Sequence, residues 1–85
     1  MNKIFSADAW NDYLYWQSTD KQKLKRINII IKSIERDGYS FGIGKPEALK
    51  YNLSGFWSRR IDNEHRLVYK IEGNYILIAS CKDHY

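Results

Sequence analysis

Cysteine is almost absent from this 85-residue sequence. Cys81 stands alone, which excludes an internal disulfide framework and a cysteine-built zinc cage. Long apolar runs are missing too. The longest, Tyr75-Ile-Leu-Ile-Ala79, has five residues, against the roughly 20 that a membrane-spanning helix needs. No basic-then-apolar segment ending in small residues opens the chain, so secretion is not expected and a cytoplasmic location is. Repeats, low-complexity tracts and Ser/Gly/Pro linkers are also lacking. A mass of 10.2 kDa holds one domain, residues 1–85, with no room for a second core. A chain this short buries only about 60–65% of its unfolded surface, so an active site is expected on the surface rather than in a deep cavity.

What is present leans towards RNA. Fourteen Lys and Arg against ten Asp and Glu leave a net charge of +4, which favours a polyanionic partner without demanding one. Three Trp, seven Tyr and three Phe make the chain 15% aromatic. Aromatic rings fill cores, but they also stack on unpaired bases.

The periodicity changes once along the chain. Residues 1–5 form a short strand candidate. Ser6 offers a helix N-cap with Asp8 in the first turn, and Trp10, Tyr13, Leu14 and Gln17 recur at helical spacing up to about residue 18. Asp8 and Asp12 stand four apart and read as a solvated face, whereas Trp10, Tyr13 and Trp16 read as core. Residues 18–20 break this helix and cap a second, over 21–36, whose stripe of Leu24, Ile27, Ile31 and Ile34 is widened by Ile30. Six basic residues against the single acid Glu35 give that segment +5. Gly38 closes it. Residues 39–47 then read as a loop. Leu49, Tyr51 and Leu53 alternate as a strand before a Ser54-Gly55 turn, and strands follow over 56–61, 66–71 and 75–82. Consecutive strands with short turns make an antiparallel meander, so the predicted fold is α+β, with two N-terminal helices packed on one face of the sheet.

Neither a dinucleotide fingerprint nor a metal-binding cluster can be read in the sequence. Gly42-Ile-Gly44-Lys45 lacks the ending of a phosphate loop and opens no predicted helix. The remaining polar groups gather late: Lys45, Glu47, Lys50, Arg59, Arg60, His65, Arg66 and His84. Such groups suit cleavage of RNA through its own 2′-hydroxyl, which needs a base for the 2′ proton, an acid for the departing 5′ oxygen and cations for the phosphorane. Glu47 can serve as the base and His84 as the acid, with Arg66 and either Lys50 or Arg60 as stabilisers. Histidine titrates near neutrality, and the terminal carboxylate one residue from His84 favours its protonated form, while Asp83 beside it can tune that pKa or weaken contact with RNA. Arg59 and Arg60, adjacent in a strand, must point to opposite faces, so only one can share a site with its strand neighbours. His65, in a turn, reads as structural, and Cys81 as a small core residue. The chemistry by itself leaves two readings open, a ribonuclease and a non-catalytic RNA- or ribosome-binding module that blocks translation by occupancy.

Five blocks narrow the choice: Asp12-Tyr-Leu-Tyr-Trp16, Gly44-Lys-Pro-Glu47 followed by Leu49-Lys50, Asn52-Leu-Ser-Gly-Phe-Trp-Ser-Arg-Arg-Ile61, Glu64-His-Arg-Leu-Val-Tyr69 and the ending His84-Tyr85. In order and spacing they resemble the YoeB/Txe toxins, a branch of the RelE-like toxin superfamily, essentially end to end. The resemblance implies a RelE-like fold and the toxin half of a type II toxin–antitoxin pair. It also implies a ribosome-dependent endoribonuclease that cleaves mRNA in the A site without a metal or other cofactor, leaving a 5′-hydroxyl and a cyclic or 3′ phosphate. By the same resemblance Glu47 is the general base, His84 the general acid and Arg66 the phosphate-stabilising cation. Lys50 and Arg60 support it, and Tyr85 positions the substrate. The implied partners are a YefM-like antitoxin, the ribosome with its A-site mRNA, and a second copy of the chain if it dimerises.

Overall fold

The computed structural model describes residues 1–83. After strand β1 (Asn2–Phe5), the Ser6 side chain accepts the Ala9 N–H at 3.0 Å and starts helix α1 (Ala7–Thr19). Asp20 ends α1 and caps helix α2 (Lys21–Asp37) by accepting the N–H groups of Gln22 and Lys23. Strands β2 (Glu47–Ala48), β3 (Trp57–Arg60), β4 (Arg66–Glu72) and β5 (Tyr75–Ser80) follow. The sheet order is β1-β5-β4-β3-β2, antiparallel except where β1 runs parallel to β5. The predicted order of one strand, two helices and four strands is therefore present.

One core joins the layers. Ala9 and Trp16 of α1 and Ile27, Ile30, Ile31 and Ile34 of α2 pack on Leu67 and Tyr69 of β4 and Ile76 and Ile78 of β5. Each isoleucine removed from water contributes about 2 kcal/mol. The α2 stripe agrees with its sequence pattern, but α1 is rotated from the predicted face. Trp10 and Leu14 are exposed, and Ala9, Tyr13 and Trp16 turn inward. Small Ala9 lets the helix lie close to the sheet, and the Trp16 indole finds a buried acceptor there. Trp10 instead stacks on Tyr13 at 5.8 Å and meets Phe5 edge-on.

Two predicted strands end differently. Leu49, Tyr51 and Leu53 do not alternate in a strand, because β2 is only Glu47–Ala48 and Tyr51–Leu53 is a 3-10 turn. The expected turn at Ser54-Gly55 is present, with the Phe56 N–H donating to Leu53 O at 3.0 Å, but the strand pairing begins only where Ala48 pairs with Trp57. Between these two residues Tyr51 takes φ 58, and the N–H groups of Leu53 and Ser54 bond to Lys50 and Tyr51 rather than across a sheet. β5 stops at Ser80 rather than at residue 82, because Cys81 gives its backbone groups to α1 side chains.

Arg59 and Arg60 do point oppositely. Arg60 is exposed, and Arg59 is wholly buried on the helix side. Its five N–H groups meet five acceptors: Nε to Tyr69 Oη at 3.0 Å, Nη1 to Ser33 Oγ at 2.8 Å and Ile43 O at 3.3 Å, and Nη2 to Gly38 O at 2.7 Å and Phe41 O at 2.6 Å. Ser33 Oγ in turn donates a hydrogen bond to Asp37 Oδ2 at 3.2 Å, so a carboxylate faces the cation through one hydroxyl. A Cβ on Gly42 would come within 2.1 Å of Ser33 Oγ and 2.6 Å of Arg59 Nη1, and the backbone there has φ +113. The residue must be glycine on both counts.

A second tether joins α2 to the β3–β4 turn. Lys23 Nζ lies 2.7 Å from Asp62 Oδ2, while Asp62 Oδ1 accepts the N–H groups of Glu64 and His65 at 2.8 and 2.7 Å. Burial works to raise the Asp62 carboxyl, but the Lys23 bond and these two N–H groups outweigh it and hold the pKa at about 2.

Replacing Arg59 with Met strands five acceptors and is expected to cost at least about 3 kcal/mol in urea denaturation. Gly42→Ala is expected to lose about 2 kcal/mol or more through clash and backbone strain, and equal stability would refute the close approach. Because the folded pKa of Asp62 lies below its unfolded value, its contribution is complete above pH 4 and is lost as the pH falls towards 2. After screening, that contribution is about 1 kcal/mol. Asp62→Asn should flatten the stability profile between pH 5 and pH 2 by this amount.

Candidate active site

Strand register decides which predicted residues meet. Glu47 pairs with Ser58, which pairs with Val68; two residues along, Arg60 pairs with Arg66. Paired residues share a face, as do residues two apart on one strand. Glu47, Ser58, Arg60, Arg66 and Val68 therefore occupy one face, and Trp57, Arg59, Leu67 and Tyr69 the other, beneath the helices. With strands spaced about 4.8 Å apart, the Glu47 and Arg66 Cα atoms stand on the order of 12 Å from one another. Two long side chains can close on a phosphate across that span.

Each candidate is held by its local chain. Glu47 starts β2 directly after Pro46, and Lys50 follows at the rim of a pocket of about 420 Å³ lined by residues 47–53. Arg66 opens β4, nearly buried. Its Nη1 donates to the carbonyls of Asp62 at 2.8 Å and His65 at 3.1 Å, which sets the plane of the guanidinium. The predicted acid His84 and the positioning aromatic Tyr85 lie outside the described residues. Asp83, which precedes His84 in the chain, is fixed beside Arg66: the Arg66 N–H donates to Asp83 O at 3.0 Å.

Backbone strain marks the same places. Among the described residues, the non-glycine residues with left-handed φ are Lys45 at 52, Tyr51 at 58 and Asp83 at 64. Two bracket the Glu47–Lys50 segment and the third adjoins His84. Such strain persists where surrounding structure enforces it, and it gathers at functional sites.

Sequence reasoning missed the side chains that hold the last residues. Trp16 Nε1 donates to Cys81 O at 2.8 Å, and Asp12 Oδ2 accepts the Cys81 N–H at 3.0 Å. Asp12 is therefore not part of a solvated face; burial raises its pKa. His65 is buried, as a structural residue would be, with its ring edge-on to Trp16 at 4.8 Å. Its Nδ1 accepts the Asp83 N–H at 2.8 Å, so the ring proton resides on Nε2. The spacing of Asp12 and Trp16, four apart on one helix face, was the available signal, but nothing local links them to residue 81.

Cys81 is fully buried, as expected of a core residue. Burial, with Asp12 nearby, pushes its thiol up to about 12, which removes it as a nucleophile. The α2 cations divide. Lys23 and Arg36 pair with Asp62 and Asp37, while Lys21, Lys25 and Lys32 make no ion pair among the described residues. Those three remain available to phosphates.

Comparison with known proteins places this geometry. Residues 5–85 match the family described as the YoeB-like toxin of bacterial type II toxin–antitoxin systems. A Toxin YoeB of Escherichia coli O6:H1 is 58% identical over the full length of both chains. Two solved structures are similar at 56% identity, covering 100% of this chain and 98% of theirs. One is a YoeB dimer from Staphylococcus aureus, with a TM-score of 0.95, and the other a heterotetrameric YoeB–YefM toxin–antitoxin complex from the same organism, with a TM-score of 0.94. The chain belongs to the YoeB family of toxins of bacterial type II toxin–antitoxin systems.

Proposed function

We propose that this toxin is a ribosome-dependent endoribonuclease that cuts mRNA in the A site and so stops translation. The observation that carries the reading is the strand register, which aligns Glu47, Arg60 and Arg66 on the sheet face opposite the helices. A carboxylate and two guanidinium groups facing a strand of RNA is the arrangement that 2′-hydroxyl attack requires.

In this mechanism Glu47 takes the 2′-hydroxyl proton, and the 2′ oxygen attacks the adjacent phosphorus. Arg66 meets the charge that builds on the non-bridging oxygens, where a preset donor contributes about 3–4 kcal/mol. His84 gives its proton to the departing 5′ oxygen. The products are a 2′,3′-cyclic phosphate, which can open to a 3′ phosphate, and a 5′-hydroxyl. No step calls on a metal ion. Lys50 and Arg60 bind flanking phosphates, and Tyr85 stacks on a base. Lys21, Lys25 and Lys32 of α2 supply general attraction to ribosomal RNA. A YefM-like antitoxin is the expected partner, and a homodimer the expected self-assembly, both carried from the Staphylococcus aureus structures. The site of action is the cytoplasm, where ribosomes are.

Glu47→Gln and His84→Ala are each expected to relieve growth arrest on expression and to slow cleavage by about 10²–10⁴-fold, with thermal unfolding unchanged. Mapping mRNA 5′ ends after induction checks the chemistry. Arrest without new ends would replace cleavage with occupancy of the ribosome, and full toxicity from both variants would overturn the roles.

A further inference from the structure

Chain ends usually fray, because few contacts hold them. Here the chain leaves the sheet after Ser80 and is immediately held again. The N–H of Cys81 donates to Asp12 Oδ2 at 3.0 Å, and its carbonyl accepts from Trp16 Nε1 at 2.8 Å. The N–H of Asp83 donates to His65 Nδ1 at 2.8 Å, and its carbonyl accepts from the Arg66 N–H at 3.0 Å. Every backbone hydrogen-bonding group of Cys81 and Asp83 is thus paired, with α1 on one side and the start of β4 on the other. Lys82, between them, turns outward and lays its Nζ over the Tyr15 ring at 5.0 Å.

Burial of Cys81 and Trp16 accounts for the bonds at Cys81, but not for those at Asp83. Asp83 is exposed and sits at φ 64, a conformation that costs a non-glycine residue about 1 kcal/mol. His65 is itself fixed from two directions: its backbone N–H by Asp62 Oδ1 at 2.7 Å and its ring by Trp16. The line of support runs from Lys23 through Asp62 and His65 to Asp83.

We infer that His65 is a positioning residue for catalysis: as a neutral acceptor it locks Asp83 and so sets where the last two residues, His84 and Tyr85, begin. This rests on the proposed role of His84 as the proton donor. A proton donor displaced by about 1 Å loses on the order of 10²-fold in rate, so the seat of the preceding residue controls turnover. His65 itself touches no reacting atom; it acts through the Asp83 N–H.

The test pairs His65→Leu, which keeps bulk and removes the acceptor, with His65→Asn, whose amide oxygen can stand where Nδ1 stood. Three measurements are made on the full chain: exchange of the Asp83 amide, release of the last residues by a carboxypeptidase, and cleavage of mRNA on ribosomes. His65→Leu is expected to expose the Asp83 amide by about tenfold, to speed trimming, and to lower kcat by about 10–100-fold with KM within about twofold. His65→Asn should restore most of each. Should His65→Leu fail to fold, His65→Phe, which keeps an aromatic ring against Trp16 and has no acceptor, is read the same way. Unchanged Asp83 exchange in the variant that folds would overturn the clasp. Lost protection with an unchanged kcat, or no recovery in His65→Asn, would overturn the positioning role. If the unaltered chain cleaves no mRNA, the ribonuclease reading fails, while the exchange and trimming results still judge the clasp.

Discussion

The buried guanidinium of Arg59 is the constraint from which the arrangement follows. A cation withdrawn from water persists only if every donor is met. Here the acceptors come from α2, from the loop that follows it, and from β4. Satisfying one side chain therefore fixes the path of residues 38–43, and the Arg60 N–H bonded to Gly44 O at 2.7 Å carries that path to β2. The position of Glu47 is a consequence of how Arg59 is solvated by protein.

The sheet face opposite the helices gathers its groups from three routes. β2 delivers Glu47 from the loop ordered by Arg59. β3 and β4 deliver Arg60 and Arg66 through paired register. The chain end is brought to the start of β4 by side chains of α1 and of the β3–β4 turn. The helices thus do more than cover the hydrophobic side: through Asp12 and Trp16, α1 holds the segment that precedes His84. Rigid elements thus hold groups from distant parts of the chain in one fixed arrangement.

The α2 stripe, the N-caps at Ser6 and Asp20 and the opposed directions of Arg59 and Arg60 were legible, because each depends on neighbours within a turn or two. Glu47, Arg60 and Arg66 could be named from the sequence as polar candidates, and the strand register sets them on one face. The strand expected over 49–53 was not formed, because an apolar alternation does not say where the ladder closes, and Tyr51 ends the extended chain. The predicted face of α1 was wrong because bulk suggested Trp10, whereas the fit on the sheet favoured Ala9, and because the buried side also carries the polar Asp12.

By itself the sequence determined the α+β order, the apolar stripe of α2, the basic balance, and which titratable and cationic residues the chain carries. All of these follow from residue type and short-range spacing. Tertiary structure alone decided that Arg59 would be buried and Arg60 presented, that Asp12 and Trp16 would hold residue 81, and that His65 would accept from Asp83. Those outcomes depend on register and on contacts spanning up to 69 residues. No local propensity encodes them, because each exists only once water has been displaced and the buried polar groups must find one another.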